Sequence, residues 1–569
     1  MVNISIDSKG YTVGEGKTIL EAARDAGIKI PTLCYEEGLS IYGGCRLCVV
    51  EVEGEALLKP ACATEVKEGM VIRTNTPEVR EVRKNLFELI IASHNISCEL
   101  NCLTCSRGDN CELREVAEII GIEEIRLKPI SIAYSDDRSS FSIVREPGKC
   151  ISCGRCIRKC EEVQEIGIFT MANRGPSTIV TTFEDKGMGN VECSNCGQCI
   201  HACPTGALHE VYHIEAVWDA INDDGKHLVV QTAPAVRVAI SETFGGQPGT
   251  IATGKLVAGL KKLGFDKVFD TNFAADLTIM EEGTELINRI KRDGVLPLFT
   301  SCSPGWIKFI EHFYPEYLAN LSTCKSPQQM FGAVAKTYYA ERNNIPVEDI
   351  VVVSVMPCTA KKFEAGRKEM SADVDYVLTT RELGRMFKQA GIDLLELAEE
   401  EYDSLLGVST GAADIFGNTG GVMEAALRTA YEIITGEELV DIEFNQVRGL
   451  EGIREAEVEI GDLRMKVAVA NGLGNTRTLL EMIKNGQQYH FVEFMACPGG
   501  CIGGGGQPYT DQAVLEKRMK ALYEIDHAKE YRKSHENPYI KKIYGEYLGR
   551  PGSHQAHELL HTHYIPRGV

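Results

Sequence analysis

The chain has 569 residues, 44% hydrophobic and 25% charged, with 60 basic against 81 acidic side chains and a formal net charge of −21. That length exceeds what one core can organise and implies roughly three to five domains. The acidic balance argues against a nucleic-acid partner. The start MVNISIDSKGY has no basic stretch leading into an apolar one, and no run of about 18 apolar residues occurs, so a cytoplasmic protein without a membrane span is expected. In that compartment the 21 cysteines are expected to be reduced or metal-bound rather than paired.

In chain order, VNISID and YTVGEG read as a strand pair. TILEAARDAG reads as a helix with its glycine after the last periodic residue, and CVVEVEGE as another strand. REVRKNLFELIIA, residues 80–92, has helical spacing. Residues 140–212 are cysteine-dense with little apolar content, so metal clusters are expected to replace a core there. From about residue 225, HLVVQTAPAV, VFDTNFAADL, VLPLFTSC, IVVVSVMPC and YHFVEFMACPGG are apolar runs of strand length, several separated by helical stretches. That pattern predicts α/β units with parallel sheets and ligand chemistry at the strands' carboxyl ends. The last 60 residues read as helical and charged. HTHY near the end reads as surface or structural histidines.

The first 203 residues hold sixteen of the cysteines in four groups of four. Cys34, Cys45, Cys48 and Cys62 include the Gly-rich loop GGCRLC, whose backbone amides can approach cluster sulfurs. The spacing is wider than the plant-type run but fits a 2Fe–2S centre, with structural zinc as the competing reading. The second group is Cys98, Cys102, Cys105 and Cys111, with His94 just upstream. The third and fourth runs, Cys150-x2-Cys153-x2-Cys156-x3-Cys160 and Cys193-x2-Cys196-x2-Cys199-x3-Cys203-Pro204, each match the two-cluster ferredoxin pattern. There the fourth cysteine serves the other cluster. Cys160 is therefore expected with Cys193, Cys196 and Cys199, and Cys203 with Cys150, Cys153 and Cys156.

The remaining cysteines are Cys302, Cys324, Cys358, Cys497 and Cys501, in TSCSPGW, LSTCKSPQQ, MPCTAKKFE and FMACPGGCIGGGGQP. One buried cysteine in an α/β region is ordinary packing. Several in Pro/Gly turns at strand ends argue for a shared metal site.

These segments resemble the signature motifs of the iron-only (FeFe) hydrogenases, and the resemblance spans nearly the whole chain. It implies an α/β catalytic domain of two lobes with parallel and mixed sheets, plus N-terminal α+β iron–sulfur domains. The implied organisation is 1–78 a 2Fe–2S ferredoxin-like domain, 79–120 a complex I-like 4Fe–4S segment, and 140–212 a two-cluster ferredoxin domain. A catalytic domain at 223–510 and a small-subunit-like helical segment at 511–569 follow. It also implies an H-cluster: a 4Fe–4S cubane joined to a diiron centre with carbonyl, cyanide and azadithiolate ligands, beside one 2Fe–2S and three 4Fe–4S clusters. The activity implied is reversible hydrogen oxidation in an anaerobic cell.

Carried over by motif, Cys358, Cys497 and Cys501 would bind the cubane, with Cys501 bridging to the diiron centre. Cys302 would pass a proton, and Glu282, Ser322 and Glu285 would relay it. Lys361, with Ala233 and Pro234, would donate to the cyanides or pack beside them, Pro234 having no amide proton. Met356, Met495 and Gln328 would line the pocket. Three positions depart from the pattern. Where the family's complex I-like segment has a histidine, this chain has Cys98, so all-cysteine ligation is expected with His94 as second choice. Ala235 stands where many relatives have serine. Ser303 stands where a second adjacent cysteine is usual: either it binds iron through oxygen, or the loop shifts to offer Cys302, or Cys324 takes part.

The partners implied are ferredoxin, or flavin- and NAD(P)-binding iron–sulfur subunits of an electron-bifurcating complex, together with maturation proteins for the diiron centre. No G-x-G-x-x-G follows a strand here, so a nicotinamide or flavin is expected on another subunit. A hydrogen or redox sensor of low activity is the third reading, resting on Ser303.

Overall fold

The computed structural model describes residues 1–92, 94, 105, 107–127 and 134–568. Cys98 and Cys102 lie outside the described residues.

The N-terminal strand pair forms as expected. Val2–Ile6 and Lys9–Val13 pair antiparallel across a two-residue turn in which Asp7 and Ser8 both take left-handed backbone, as a tight hairpin requires. Asp7 is held there because its carboxylate accepts the Thr74 amide at 2.7 Å. The five-stranded sheet runs Lys9–Val13, Val2–Ile6, Val71–Arg73, Val49–Val52, Lys59–Pro60. Helix Ile19–Asp25 packs Ile19 and Leu20 onto Ile4, Ile6, Val50 and Ile72. It starts at a reciprocal cap between Thr18 and Glu21. The next helix, Pro77–Ile91, begins three residues before the periodic stretch, because Thr76 caps it and Pro77 suits its first turn. It packs Phe87 and Ile91 against Leu113 and Val116 of helix Glu112–Ile120.

Between 134 and 212 two short antiparallel ribbons, Ile143–Arg145 with Leu208–Glu210 and Phe169–Ala172 with Ile179–Thr182, frame the cysteine runs. Cys156, Cys193, Cys199 and Cys203 themselves pack with Ile143, Phe169 and Ile200. Cysteines stand where a larger domain would place aliphatic side chains.

The α/β region contains two four-stranded sheets. One is all parallel, in the order Lys267–Asp270, His227–Thr232, Ile350–Met356, Tyr376–Thr379. The other is mixed: Leu298–Phe299, Phe491–Met495, Leu463–Asn471 and, antiparallel at the edge, Ile453–Ile460. The run VFDTNFAADL is not one strand. It breaks at Asp270, whose carboxylate caps helix Thr271–Lys291 by accepting the Asn272 amide. The hairpin of residues 453–471 has no counterpart in the apolar runs, since its first strand alternates buried and exposed residues along one open face.

Helix Thr271–Lys291 joins the two lobes. Phe273, Ala274 and Leu277 enter the core under the parallel sheet, while Ala275, Ile279 and Leu286 enter the core of the mixed sheet. Two apolar faces at helical spacing leave little surface, so its polar residues are buried between the lobes. The C-terminal segment is helical, Gln512–Ala528, Pro538–Ile543 and His554–Leu560. It returns to the catalytic region, where His561 bridges Cys324 in the backbone and Lys325 donates to Leu560 at 2.8 Å. No helix among the described residues is long and apolar enough to cross a membrane.

Candidate active site

Four parallel strands end at one place. Thr232 leads into Ala233 and Pro234, Met356 into Pro357 and Cys358, Phe299 into Cys302 and Ser303, and Met495 into Ala496 and Cys497. These turns surround a cavity of about 80 Å³. Burial at the carboxyl ends of two facing sheets puts their loops around a common crevice. The lining includes Cys302, Ser303, Cys358, Cys497 and Cys501, and with them Lys361, Gln328, Met356, Met495, Ala233 and Pro234. The fold brings together these residues from separate segments of the sequence. Ala235 and Cys324 do not line this space. Cys324 lies instead beside Glu285 and His561.

Cys302, Cys358, Cys497 and Cys501 converge on this cavity. Burial, the largest effect, pushes Cys358, Cys497 and Cys501 up, Cys501 to about 12; Lys361 opposes it at Cys358 and Cys501, while the Cys358 thiol adds to it at Cys497 and Cys501. Thiolates crowded in an apolar pocket need a cation to be stable, which an iron–sulfur cluster supplies. Cys302 also lines the space. Burial and then Glu282 push its thiol well up, with Lys361 opposing. Ser303 sits at the start of helix Pro304–Phe313 with its Oγ accepting the Ala496 amide at 3.2 Å, which holds it next to Cys497.

Lys361 Nζ donates to Glu364 Oε2 at 2.8 Å and to the Cys302 carbonyl at 3.1 Å. The same carboxylate oxygen accepts from Ser326 at 2.7 Å and Gln328 Nε2 at 3.1 Å. Gln328 Oε1 has no partner among the described residues. Glu364 was missed in the sequence, although its place three residues after Lys361 on a helix was a usable signal. Of the two roles expected for Ala233, donating or packing, its amide is already committed to the Val355 carbonyl at 3.0 Å, which leaves packing.

A polar path leads outward from Cys302. Glu282 is buried on helix Thr271–Lys291, and burial raises its carboxyl to about 8, a hydrogen bond from Ser322 offsetting part. Its Oε2 has no partner among the described residues. Ser322 Oγ donates to Glu285 Oε2 at 3.1 Å, and Arg289 holds the other Glu285 oxygen at 2.6 Å. Glu493, missed in the sequence, is a second enclosed carboxyl, raised to about 7 by burial while the Gly420 and Met423 amides oppose. A lone carboxylate inside the apolar run HFVEFM was the signal for it.

The cysteine groups upstream form a chain of neighbours. Cys34, Cys45, Cys48 and Cys62 are enclosed at one end of the N-terminal sheet, with the Cys45 amide 3.5 Å from Cys34 Sγ. Arg155 and Arg158, inside the third cysteine run, reach the first loop. Arg155 donates to the Tyr35 carbonyl at 2.9 Å and Arg158 to the Cys34 carbonyl at 2.6 Å. Cys150, Cys153, Cys156 and Cys203 line one small cavity. Cys160 lies near Cys196 and Cys193. Cys203 thus stands with three cysteines of the third run, and Cys160 near two of the fourth. Of the second group, Cys111 is buried and Cys105 half-buried. His94 is buried, its imidazole lowered to about 4 by burial, with Nδ1 unpartnered among the described residues.

The second ferredoxin run meets the catalytic loops directly. Gln164 Nε2 donates to Cys196 Sγ at 3.4 Å and to the Ala496 carbonyl at 3.1 Å. Thr359 donates to the Asn195 carbonyl at 2.7 Å, and Gln198 to the Gly503 carbonyl at 2.9 Å. The glycine run is what permits this approach, since a Cβ on Gly505 would fall 2.3 Å from the Cys196 carbonyl oxygen.

Family models agree with this layout. Residues 226–505 match the iron only hydrogenase large subunit, C-terminal domain, and 512–567 the iron hydrogenase small subunit. Residues 1–77 match a 2Fe-2S iron-sulfur cluster binding domain, and 83–126 the NADH-ubiquinone oxidoreductase-G iron-sulfur binding region. Residues 136–208 match a 4Fe-4S dicluster domain. The chain is 50% identical to the NADP-reducing hydrogenase subunit HndD of Solidesulfovibrio fructosivorans, over 100% of this chain and 99% of that one. It is 44% identical to iron hydrogenase 1 of Clostridium pasteurianum, over 99% and 100%. Among solved structures, the apo FeFe-hydrogenase HydA1 of Chlamydomonas reinhardtii covers 63% of this chain and all of its own, at 46% identity and a TM-score of 0.57. This chain belongs to the iron-only hydrogenases, in the form that carries 2Fe–2S and 4Fe–4S domains ahead of the catalytic domain.

Proposed function

We propose that the chain catalyses reversible hydrogen oxidation and is the catalytic subunit of an NAD(P)-linked assembly. The observation that carries this reading is the convergence of Cys358, Cys497, Cys501 and Ser303 with Cys302 and Lys361 around one enclosed space. The H-cluster, when bound, supplies the redox-active metal centre at which hydrogen is made or split. Cys358, Cys497 and Cys501 would hold it, with Ser303 Oγ at the fourth cubane position. The Ala496 amide that Ser303 accepts would support an oxygen ligand there.

The chain's own side chains would do the rest. Lys361, fixed by Glu364, presents an ammonium group to the anionic ligands of the cluster. The Cys302 thiol stays protonated until a base accepts its proton, because burial and Glu282 disfavour the thiolate. Glu282, near pKa 8, is poised to exchange that proton at neutral pH. Ser322 then passes it to Glu285, whose ion pair with Arg289 lies at the edge of the lobe. Met356 and Met495 keep the space apolar, so protons follow the carboxyl path rather than bulk water.

One 2Fe–2S cluster on the first cysteine group and three 4Fe–4S clusters on the others would carry electrons. Cys98 would complete the second set, with His94 as the alternative, its Nδ1 having no partner among the described residues. The contact of Cys196 with Ala496 and Gly505 supports handover at the catalytic end. NAD(P) linkage is favoured over free ferredoxin by full-length similarity to a subunit named for NADP reduction. Infrared spectroscopy of anaerobically matured protein tests the catalytic reading: carbonyl and cyanide bands are expected, and their absence at full maturation would refute it. Purification from the native host under anaerobic conditions tests the partner, with flavin-containing subunits expected and a lone chain active only with ferredoxin opposing.

A further inference from the structure

The outer end of the proton path carries a donor set that the proposed mechanism does not use. Glu285 lies on helix Thr271–Lys291, Cys324 on the segment before helix Pro327–Val334, and His561 after helix His554–Leu560. Each offers one ligand atom, and these atoms lie within 4.8 Å of one another. Cys324 is fully buried, and burial, then Glu285, Glu282 and Glu281, push its thiol far up. Such an anionic pocket keeps the thiol neutral unless a cation enters it.

His561 is already oriented as metal-binding histidines are. Its Nε2 lies 3.0 Å from Glu281 Oε2, and that carboxylate is fixed by the Gly552 amide and the Tyr544 hydroxyl. A carboxylate on the far nitrogen sets both ring angle and tautomer. The near nitrogen, Nδ1, faces Thr323 Oγ1 at 2.7 Å, and the same hydroxyl is 3.2 Å from Glu285 Oε2. Arg289 holds Glu285 Oε1, while Oε2, on the side of the group, accepts from Ser322 Oγ at 3.1 Å and from the Thr323 amide at 3.0 Å.

We propose that Glu285, Cys324 and His561 form a three-ligand site for a zinc-class divalent cation, and that its occupancy closes the outer end of the proton path. This rests on the reading of Glu285 as part of that path. One thiolate, one imidazole and one carboxylate suit zinc better than magnesium or calcium. Bonds of about 2.0–2.3 Å draw tetrahedral donors to roughly 3.5 Å apart, so side-chain rotation of about an ångström would complete the site. On binding, the Cys324 thiol releases its proton to solvent, His561 binds as neutral imidazole, and Thr323 gives up its contact with Nδ1. The dication is then balanced by two anionic ligands, while Glu281 and Arg289 offset each other outside them. Three protein ligands leave a fourth position to water, as in exchangeable rather than structural zinc sites. Glu285 Oε2 on the metal no longer accepts from Ser322 Oγ, keeping at most the Thr323 amide.

The test compares anaerobic holoenzyme with Cys324→Ala and His561→Asn after dialysis against zinc chloride. Zinc content, the zinc K-edge spectrum and hydrogen evolution from a reduced dye are measured. The parent is expected to hold one more zinc per chain than either variant, with one sulfur at the metal. Zinc should inhibit its turnover at concentrations about ten-fold or more below those needed for the variants, whose untreated turnover stays at the parent level. Equal zinc content and equal inhibition in the parent and both variants would overturn the site, and either variant suffices if the other folds poorly. Zinc bound without inhibition would overturn the closure while the hydrogenase reading stands. No turnover in untreated parent would overturn that reading, and the zinc count would still decide the site.

Discussion

Replacing Glu282 by glutamine keeps the side chain's shape and removes its proton equilibrium. In the folded protein burial raises this carboxyl from 4.5 to about 8. A group whose folded pKa is raised contributes its full stability below the unfolded value and loses it as pH climbs to the folded one. The parent is therefore penalised progressively between pH 4.5 and 8, and Glu282→Gln is not. At 1.36 kcal/mol per pH unit, the variant gains about 3 kcal/mol over the parent at pH 7 and about 5 kcal/mol above pH 8. The catalytic domain matches over residues 226–505, and a domain that long shifts its midpoint by about 2 °C per kcal/mol. Anaerobic thermal melts should thus show Glu282→Gln and parent nearly together at pH 5 and about 5 °C apart at pH 7, the variant higher. Hydrogen turnover by the variant should fall at least about 100-fold with cluster content unchanged, as expected for loss of a general acid–base group. A gap in melting temperature that does not change between pH 5 and pH 8 would refute the assignment of Glu282 as a buried, raised carboxyl.

Three further outcomes follow from the site. Cys302→Ala should leave iron content and infrared bands intact while lowering turnover about 100-fold or more, and undiminished turnover would remove Cys302 from the proton path. Ser303→Cys should move the cubane's reduction potential, read by EPR-monitored titration, because thiolate is a softer ligand than alkoxide. An unmoved potential would show that Ser303 does not touch iron. Gly505→Ala drives a methyl group toward the Cys196 carbonyl and Gly197 Cα, at 2.3 and 2.7 Å, where only backbone can yield. Overpacking of that kind costs about 1–3 kcal/mol, seen as a melting point lowered by a few degrees. A parent-like melt would mean the seam between ferredoxin and catalytic loops is looser than drawn.

Cysteine spacing determined most of the metal chemistry in advance. Cluster ligation needs several thiolates at short, fixed separations, and such spacing is written along the chain whatever the fold. Hence the dicluster domain at residues 136–208 was readable directly. So were the α/β runs at residues 227–232, 350–356 and 491–495, because strands buried on both faces are continuous apolar segments. The edge hairpin at 453–471 escaped because a half-exposed strand carries only alternation.

Tertiary structure alone decided what each polar group has left to give. Ala233 reads as either donor or packing residue until the sheet commits its amide to Val355. Glu364 reads as a surface acid until the fold places Lys361, Ser326 and Gln328 on it. Cys324 reads as one more cysteine near a signature motif, yet packing sets it beside Glu285 and the distant His561, away from the catalytic space. The reason is the same in each case. Hydrogen-bond commitment and burial depend on which segments meet, and Cys324 and His561, 237 positions apart in sequence, meet only because the C-terminal segment folds back onto the catalytic lobe.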